Sequence, residues 1–125
     1  MVNSVAIPAS PDAVAPDGSL IGVLAASERG SMAHCTLAAG AVSRPVRHRT
    51  VEELWFVVGG SGVLSLGGEA LALRRGVSVA IPTATPFQFR AGHGGLELVI
   101  MTMPPWPGGD EAEPAAGPWE PTAID

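Results

Sequence analysis

Two side chains in this chain could do chemistry together: His48 and Glu53, an imidazole and a carboxylate with four residues between them. Such a pair can move a proton, the carboxylate orienting the ring, or it can give two ligands to a metal ion. An ion asks for more. Catalytic zinc takes three protein ligands, and non-haem iron takes a face of two histidines and one carboxylate. A third ligand would have to come from His34, His93, Gln88 or Glu52, of which His34 is the best placed because its strand precedes His48. Cys35 is the only cysteine, so no intramolecular disulfide can form. A reactive thiolate needs a cation or an imidazole beside it, but strand neighbours such as His34 point to opposite faces. Cys35 is therefore expected to be a small buried hydrophobe. No nucleophile elbow, zinc-finger spacing, P-loop or dinucleotide pattern occurs.

The elements that must position His48 and Glu53 are strands. From Leu20 onward, short β-like runs alternate with Gly or Pro punctuation, at 20–25, 31–38, 42–49, 53–58, 62–66, 69–74, 77–81, 86–90 and 95–103. No segment keeps an apolar 3.6-residue period, so no substantial helix is expected. The sharpest local expectation is a hairpin at Gly67-Gly68, since paired glycines take the positive φ angles of a two-residue turn. That register sets Leu64 opposite Leu71 and Leu66 opposite Glu69.

Residues 1–19, broken by Pro8, Pro11 and Pro16, are expected to be an extended lead-in, and residues 20–103 the folded barrel. The tail, 104–125, is dense in Pro and Gly, which excludes a helix or an interior strand. Its Trp106 and Trp119 suggest a strap docked on the barrel or on a partner subunit.

At 125 residues the chain can bury one core, and 46% hydrophobic against 15% charged residues describes a globular protein. A net charge of −5 argues against nucleic acid, because Arg44, Arg47 and Arg49 are too few to grip phosphates. No run approaches the ~20 apolar residues of a membrane span, and the N-terminus lacks the basic and apolar regions of a signal peptide. The expected location is the cytoplasm, with no membrane partner.

Residues 40–60, Gly40-Ala-Val-Ser-Arg-Pro-Val-Arg-His48-Arg-Thr-Val-Glu-Glu53-Leu-Trp-Phe-Val-Val-Gly59-Gly60, resemble the first cupin motif, G-x5-H-x-H-x3/4-E-x6-G. Gly76-Val-Ser-Val-Ala-Ile-Pro82-Thr-Ala-Thr-Pro86-Phe87-Gln-Phe-Arg resembles the second, G-x5-P-x-G-x2-H-x3-N. Around these, His-Arg-Thr-Val-Glu-Glu-Leu-Trp, Pro-Phe-Gln-Phe-Arg and Pro-Pro-Trp-Pro-Gly resemble a group of small bacterial cupins. The resemblance implies an all-β cupin-type jelly-roll β-barrel with extended N- and C-terminal segments, often paired as a homodimer through strand contacts. It also implies a divalent metal held by three His and one Glu. Here Val46 and Phe87 stand at two of those positions, and His48 and Glu53 at the others.

On strand alternation, 44, 46 and 48 share a face, as do 53, 55 and 57, and 87 and 89. If His48 points inward, Arg44 and Val46 follow it, and the expected pocket is lined by Val46, His48, Glu53, Trp55, Phe87 and Phe89. That is an apolar cavity with one imidazole and one carboxylate. Three uses remain open: binding a small molecule, with or without acid–base catalysis by His48 and Glu53; a metal-dependent isomerase or oxygenase completed by His34; or a structural or regulatory barrel with a filled interior. His48 hydrogen-bonded to Glu53 would fit the last.

Overall fold

The strand-forming runs assemble into a single curled sheet. The computed structural model describes residues 3–122; residues 1–2 and 123–125, the tips of the expected lead-in and strap, lie outside them. Nine strands follow in order: β1 (Ala13–Val14), β2 (Leu20–Ala26), β3 (Ser31–Leu37), β4 (Val46–His48), β5 (Glu52–Leu66), β6 (Glu69–Arg74), β7 (Ser78–Ile81), β8 (Phe87–Met103) and β9 (Ala112–Pro114). Among the described residues there is no helix. The strands run β1-β2-β3-β8-β4-β9, with β5 joining β6, β7 and β8. The fold is all-β.

Period-two burial turns one face of each strand into the core. In β5 Glu53, Trp55 and Val57 are buried while Glu52, Leu54 and Phe56 are exposed. Trp55, Phe87, Phe89, Leu64, Leu98 and Ile81 form the centre. Trp55 meets Phe87 and Phe89 edge-on at centroid distances of 5.5 and 5.0 Å, a geometry worth about 0.5–1.5 kcal/mol per pair beyond the buried area.

The hairpin forms as its glycines require. Gly67 and Gly68 have φ of 56° and 89°, and Leu64 faces Leu71 while Leu66 faces Glu69. The breaks expected near 59–61 and 91–94 do not end strands. Instead β5 and β8 are long and bent, with register shifts between Val57 and Gly59 and between Gly60 and Gly62. Gly60 sits at φ 71°, and a Cβ there would run into the carbonyl oxygen of Gly95. The glycines let two backbones cross closely where the strands turn a corner, a bulge rather than a turn.

Both terminal segments join the sheet. Ala13 pairs with Ile21, so the lead-in contributes β1 between Pro11 and Pro16. In the tail, Ala112 pairs with His48 and Pro114 with Val46, placing β9 at the sheet edge. An edge tolerates a proline, which has no N–H to give.

Candidate functional site

β4 is only three residues long, and its alternation is strict: Val46 and His48 are buried while Arg47 is exposed. Arg44 does not follow them inward as expected. Pro45 separates it from the strand, and its exposed side chain donates to the carbonyl of Pro16 at 3.4 Å. Across the barrel, Glu53 lies two residues from Trp55 on the same face of β5 and opposite Thr102 on β8. Both neighbours donate to it, Trp55 Nε1 to Oε1 at 3.0 Å and Thr102 Oγ1 to Oε2 at 2.7 Å. The carboxylate is fixed by its neighbours and is 6% exposed.

His48 is equally buried, but its Nδ1 has no hydrogen-bond partner among the described residues. Glu53 Oε1 is 3.8 Å away, beyond hydrogen-bond range, so the His48–Glu53 bond that would fit a structural barrel does not form. The oxygen that would accept it already takes Trp55 Nε1–H. Two aromatic edges hold the imidazole, Phe87 at 5.2 Å and Trp106 at 5.3 Å between centroids. Trp106 comes from the tail, where its backbone N–H donates to Ser31 Oγ at 2.9 Å. One of the two aromatics at the imidazole thus belongs to the strap and the other to β8 of the barrel.

Sequence reasoning passed over three further groups. Thr102 is one, legible only once the β5–β8 register is known. Asp17 is another. Its Oδ1 accepts from the N–H of Ser19 at 2.9 Å and from Ser19 Oγ at 2.6 Å. This closes an Asx turn that Asp-Gly-Ser after a proline announces. Ser19 is buried, and Arg44 N–H donates to Asp17 O at 2.8 Å, so the turn reaches the approach to β4. Burial pushes the Asp17 carboxyl above the usual aspartate range, against the opposing hydrogen bonds of Ser19 and the charges of His48 and Arg44.

Glu111 is the third. Its carboxylate accepts from the N–H and hydroxyl of Thr50 and from the N–H of Val51, at 2.6–2.9 Å. Burial alone would raise it, but these donors, with the charge of His48, hold it below the ordinary glutamate value. Arg49 and Arg47 meet Asp110 and Glu113, so two of the three clustered arginines serve the strap.

Val46, His48, Glu53, Trp55, Phe87 and Phe89 do come together, but around little open space. Trp55 and Phe89 are 1% exposed or less. The hollows described lie outside: one of about 170 Å³ over His34 and Pro8, and one of about 460 Å³ over Leu54, Phe56 and Met101. His34 is a correction. Cys35 and Leu37 take the inner face of β3, so His34 turns to the outer face, 2.6 Å from Glu97. His93 is exposed, and Gln88 is sealed under the strap by bonds to Ser43 and Trp119. Cys35 is buried, and burial pushes its thiol far up, with the charge of Asp17 next, so it is no nucleophile.

A metal ion does not fit this donor set. Val46 and Phe87 have no lone pair, His34 faces away, and no three His, Cys, Asp or Glu among the described residues are grouped closely enough to hold one.

A family model described as the cupin domain matches residues 33–104. The uncharacterized protein MJ1618 of Methanocaldococcus jannaschii is 26% identical over 77 residues, 61% of this chain and 62% of that protein. Among solved structures, KdgF from Halomonas sp. superposes with a TM-score of 0.68 at 21% identity, covering 76% of this chain and 86% of that one. Pac13 of Streptomyces, a nucleoside dehydratase also solved with uridine, gives 0.71 at 14% identity, covering 89% and 90%. Likeness at these identities shows the shared fold.

Proposed function

The chain belongs to the cupin domain family, and from that premise we propose that it binds a small molecule at the His48–Glu53 end of its barrel, with no ion held by that pair. His48 carries this reading. A buried ring nitrogen without a partner costs about 1–3 kcal/mol, so a ligand group that bonds to Nδ1 gains what the empty fold forgoes. Beside it, Glu53 is locked by Trp55 and Thr102 as a ready acceptor. A hydroxyl placed to one side of the pair can reach both. If catalysis follows binding, His48 is the proton carrier and Glu53 the fixed charge beside it. The uridine found with Pac13 makes a hydroxyl-rich nucleoside the natural first probe.

The full burial of Trp55, Phe89 and Leu64 favours a second reading, a filled structural barrel. A thermal-shift screen of nucleosides, sugars and small acids separates the two, since only a molecule that binds the folded state raises the melting temperature. The expected result is a rise in the unmutated protein that His48→Ala abolishes. No rise with any compound favours the filled barrel. Stoichiometric metal in the purified protein, lost in His48→Ala, would restore the isomerase or oxygenase reading.

The protein works, on this reading, as a cytoplasmic homodimer. Met32, Met101, Leu54 and Ala80 form one row across β3, β8, β5 and β7, with Val99 and Phe56 beside it. Four of these are large exposed hydrophobics on the outer face, which supports its burial against a second copy. No helix among the described residues is long and apolar enough to cross a membrane.

A further inference from the structure

We propose that residues 104–110 are a lid over the His48–Glu53 end of the barrel, with Trp106 as its closing side chain, and that a ligand enters when this segment swings away. This rests on the ligand-binding reading above and adds to it the route by which the site is reached. His48 is 6% exposed, and the aromatic side chains around it are held very differently. Phe87 stands at the head of β8, paired with Val46 on one side and Leu66 on the other. Trp55 lies inside β5, between β7 and β8. Neither ring can leave without disturbing the sheet. Trp106 belongs to no strand and is 37% exposed, so a single indole separates this side of a buried imidazole from water.

The segment is fixed at both ends and loose between them. Before it, Met103 pairs with Glu52; after it, Glu111 is bound by Thr50 and Val51. Pro104, Pro105 and Pro107 have no N–H, so the amide of Trp106 is the one backbone donor in 104–107, and Ser31 Oγ accepts it at 2.9 Å. Among the described residues, 104–109 make no other hydrogen bond to the barrel. The Arg49–Asp110 pair at the far end is exposed and screened by water. Ser31, Thr102 and Glu53 form one cross-strand row, which puts the Trp106 tie at the end of the barrel where Glu53 lies. Gly108 and Gly109 follow with φ of 79° and 57°, and a Cβ on either would touch nothing. They serve backbone freedom rather than close packing, as a pivot requires. A loop with one tie, a pivot and a half-exposed aromatic cover opens at less cost than the strands around it. When it closes, the indole adds an apolar face beside the polar pair, which suits a molecule with hydroxyls on one side and a bare ring face on the other.

The test labels imidazoles with diethyl pyrocarbonate on the full chain, without ligand, and reads each histidine by mass spectrometry. His93, exposed on β8, is the open reference, and His34, on the same strand as Ser31, reports whether β3 itself has loosened. In the unmutated protein His48 should label far more slowly than His93. Ser31→Ala, which removes the tie, should speed His48 labelling at least about fivefold, the change expected in an opening equilibrium on losing one hydrogen bond. Trp106→Ala should speed it further, and neither variant should change His34 or His93. His48 labelling as fast as His93 in the unmutated protein, or at an unchanged rate in both folded variants, overturns the lid. So does a parallel rise at His34, which would make general loosening the route to His48. The ligand arm is separate: a compound that raises the melting temperature should associate at least about fivefold faster with Ser31→Ala. An equal association rate overturns the lid as the ligand's path. The absence of any binding compound defeats the ligand reading, while the labelling result still decides the lid.

Discussion

At the scale of single residues, the second motif leaves a mark at Ala84. The motif pattern calls for glycine at this position, and among the described residues Ala84 is the non-glycine residue with a positive φ, 65°. An L-residue with a Cβ pays about 1–2 kcal/mol for that conformation. The backbone holds it there because Ala84 N–H donates to the carbonyl of His48 at 2.9 Å, tying the turn before β8 to the imidazole strand. Ala84→Gly should therefore raise stability by up to about 1 kcal/mol, the relief being partly offset by the freer unfolded glycine. Urea titration at neutral pH checks this, and a loss of stability would mean the turn is not strained. Residue faces were well marked in the sequence. Alternation grouped Val46 with His48, Glu53 with Trp55 and Phe87 with Phe89, and the motif resemblance supplied which of these faces points inward. Alternation failed for Arg44, where a proline ends the strand; His34 was expected inside from the order of its strand alone, and the phase of β3, set by Cys35 and Leu37, turns it outward.

Among elements, the hairpin was fully legible, since two adjacent glycines dictate a turn and the turn dictates the register. The corner at Gly60 was not. Glycine there signals a close backbone crossing as readily as a turn, and only the partner strand distinguishes them. The strap was half visible: its tryptophans announced docking, but nothing local marks Glu111 as buried, since its partners lie some 60 residues away. Glu111 gives this element a pH dependence of definite sign. Its folded pKa is depressed, so its stabilisation is present above the ordinary glutamate value of 4.5 and is lost as pH falls through the lower folded value. Asp17, raised by burial, works in the opposite sense, so the comparison must be made against Glu111→Gln. Urea midpoints measured from pH 7 to pH 3 should fall more steeply for the unmutated protein than for the variant. At pH 7 the variant should already be less stable by about 1–3 kcal/mol, because the donors of Thr50 and Val51 lose a charged acceptor. Parallel curves would show that the carboxylate does not anchor the strap.

For the whole molecule, the outer sheet face sets the prediction. Phe56 is 47% exposed and Leu54 42%, in a row with Met101 and Met32 that contains no charge. Phe56→Glu should convert a dimer to a folded monomer, read by light scattering on a sizing column with circular dichroism as the fold control. A monomer before mutation would refute the pairing. Composition and strand spacing were enough to give an all-β chain of this size. They could not say which outer face stays bare, because that depends on which strands become neighbours.

The bond between Glu111 and the 50–51 corner also orders events in time. On the ribosome, Thr50 and Val51 are made about 60 residues before the carboxylate that satisfies their amides. Through that interval the imidazole of residue 48 has neither its β9 neighbour nor the indole of Trp106 beside it. The nascent barrel therefore waits, unlatched at one rim, until nearly the last of these residues has been translated, and a translational pause within 104–114 would prolong exactly that vulnerable interval.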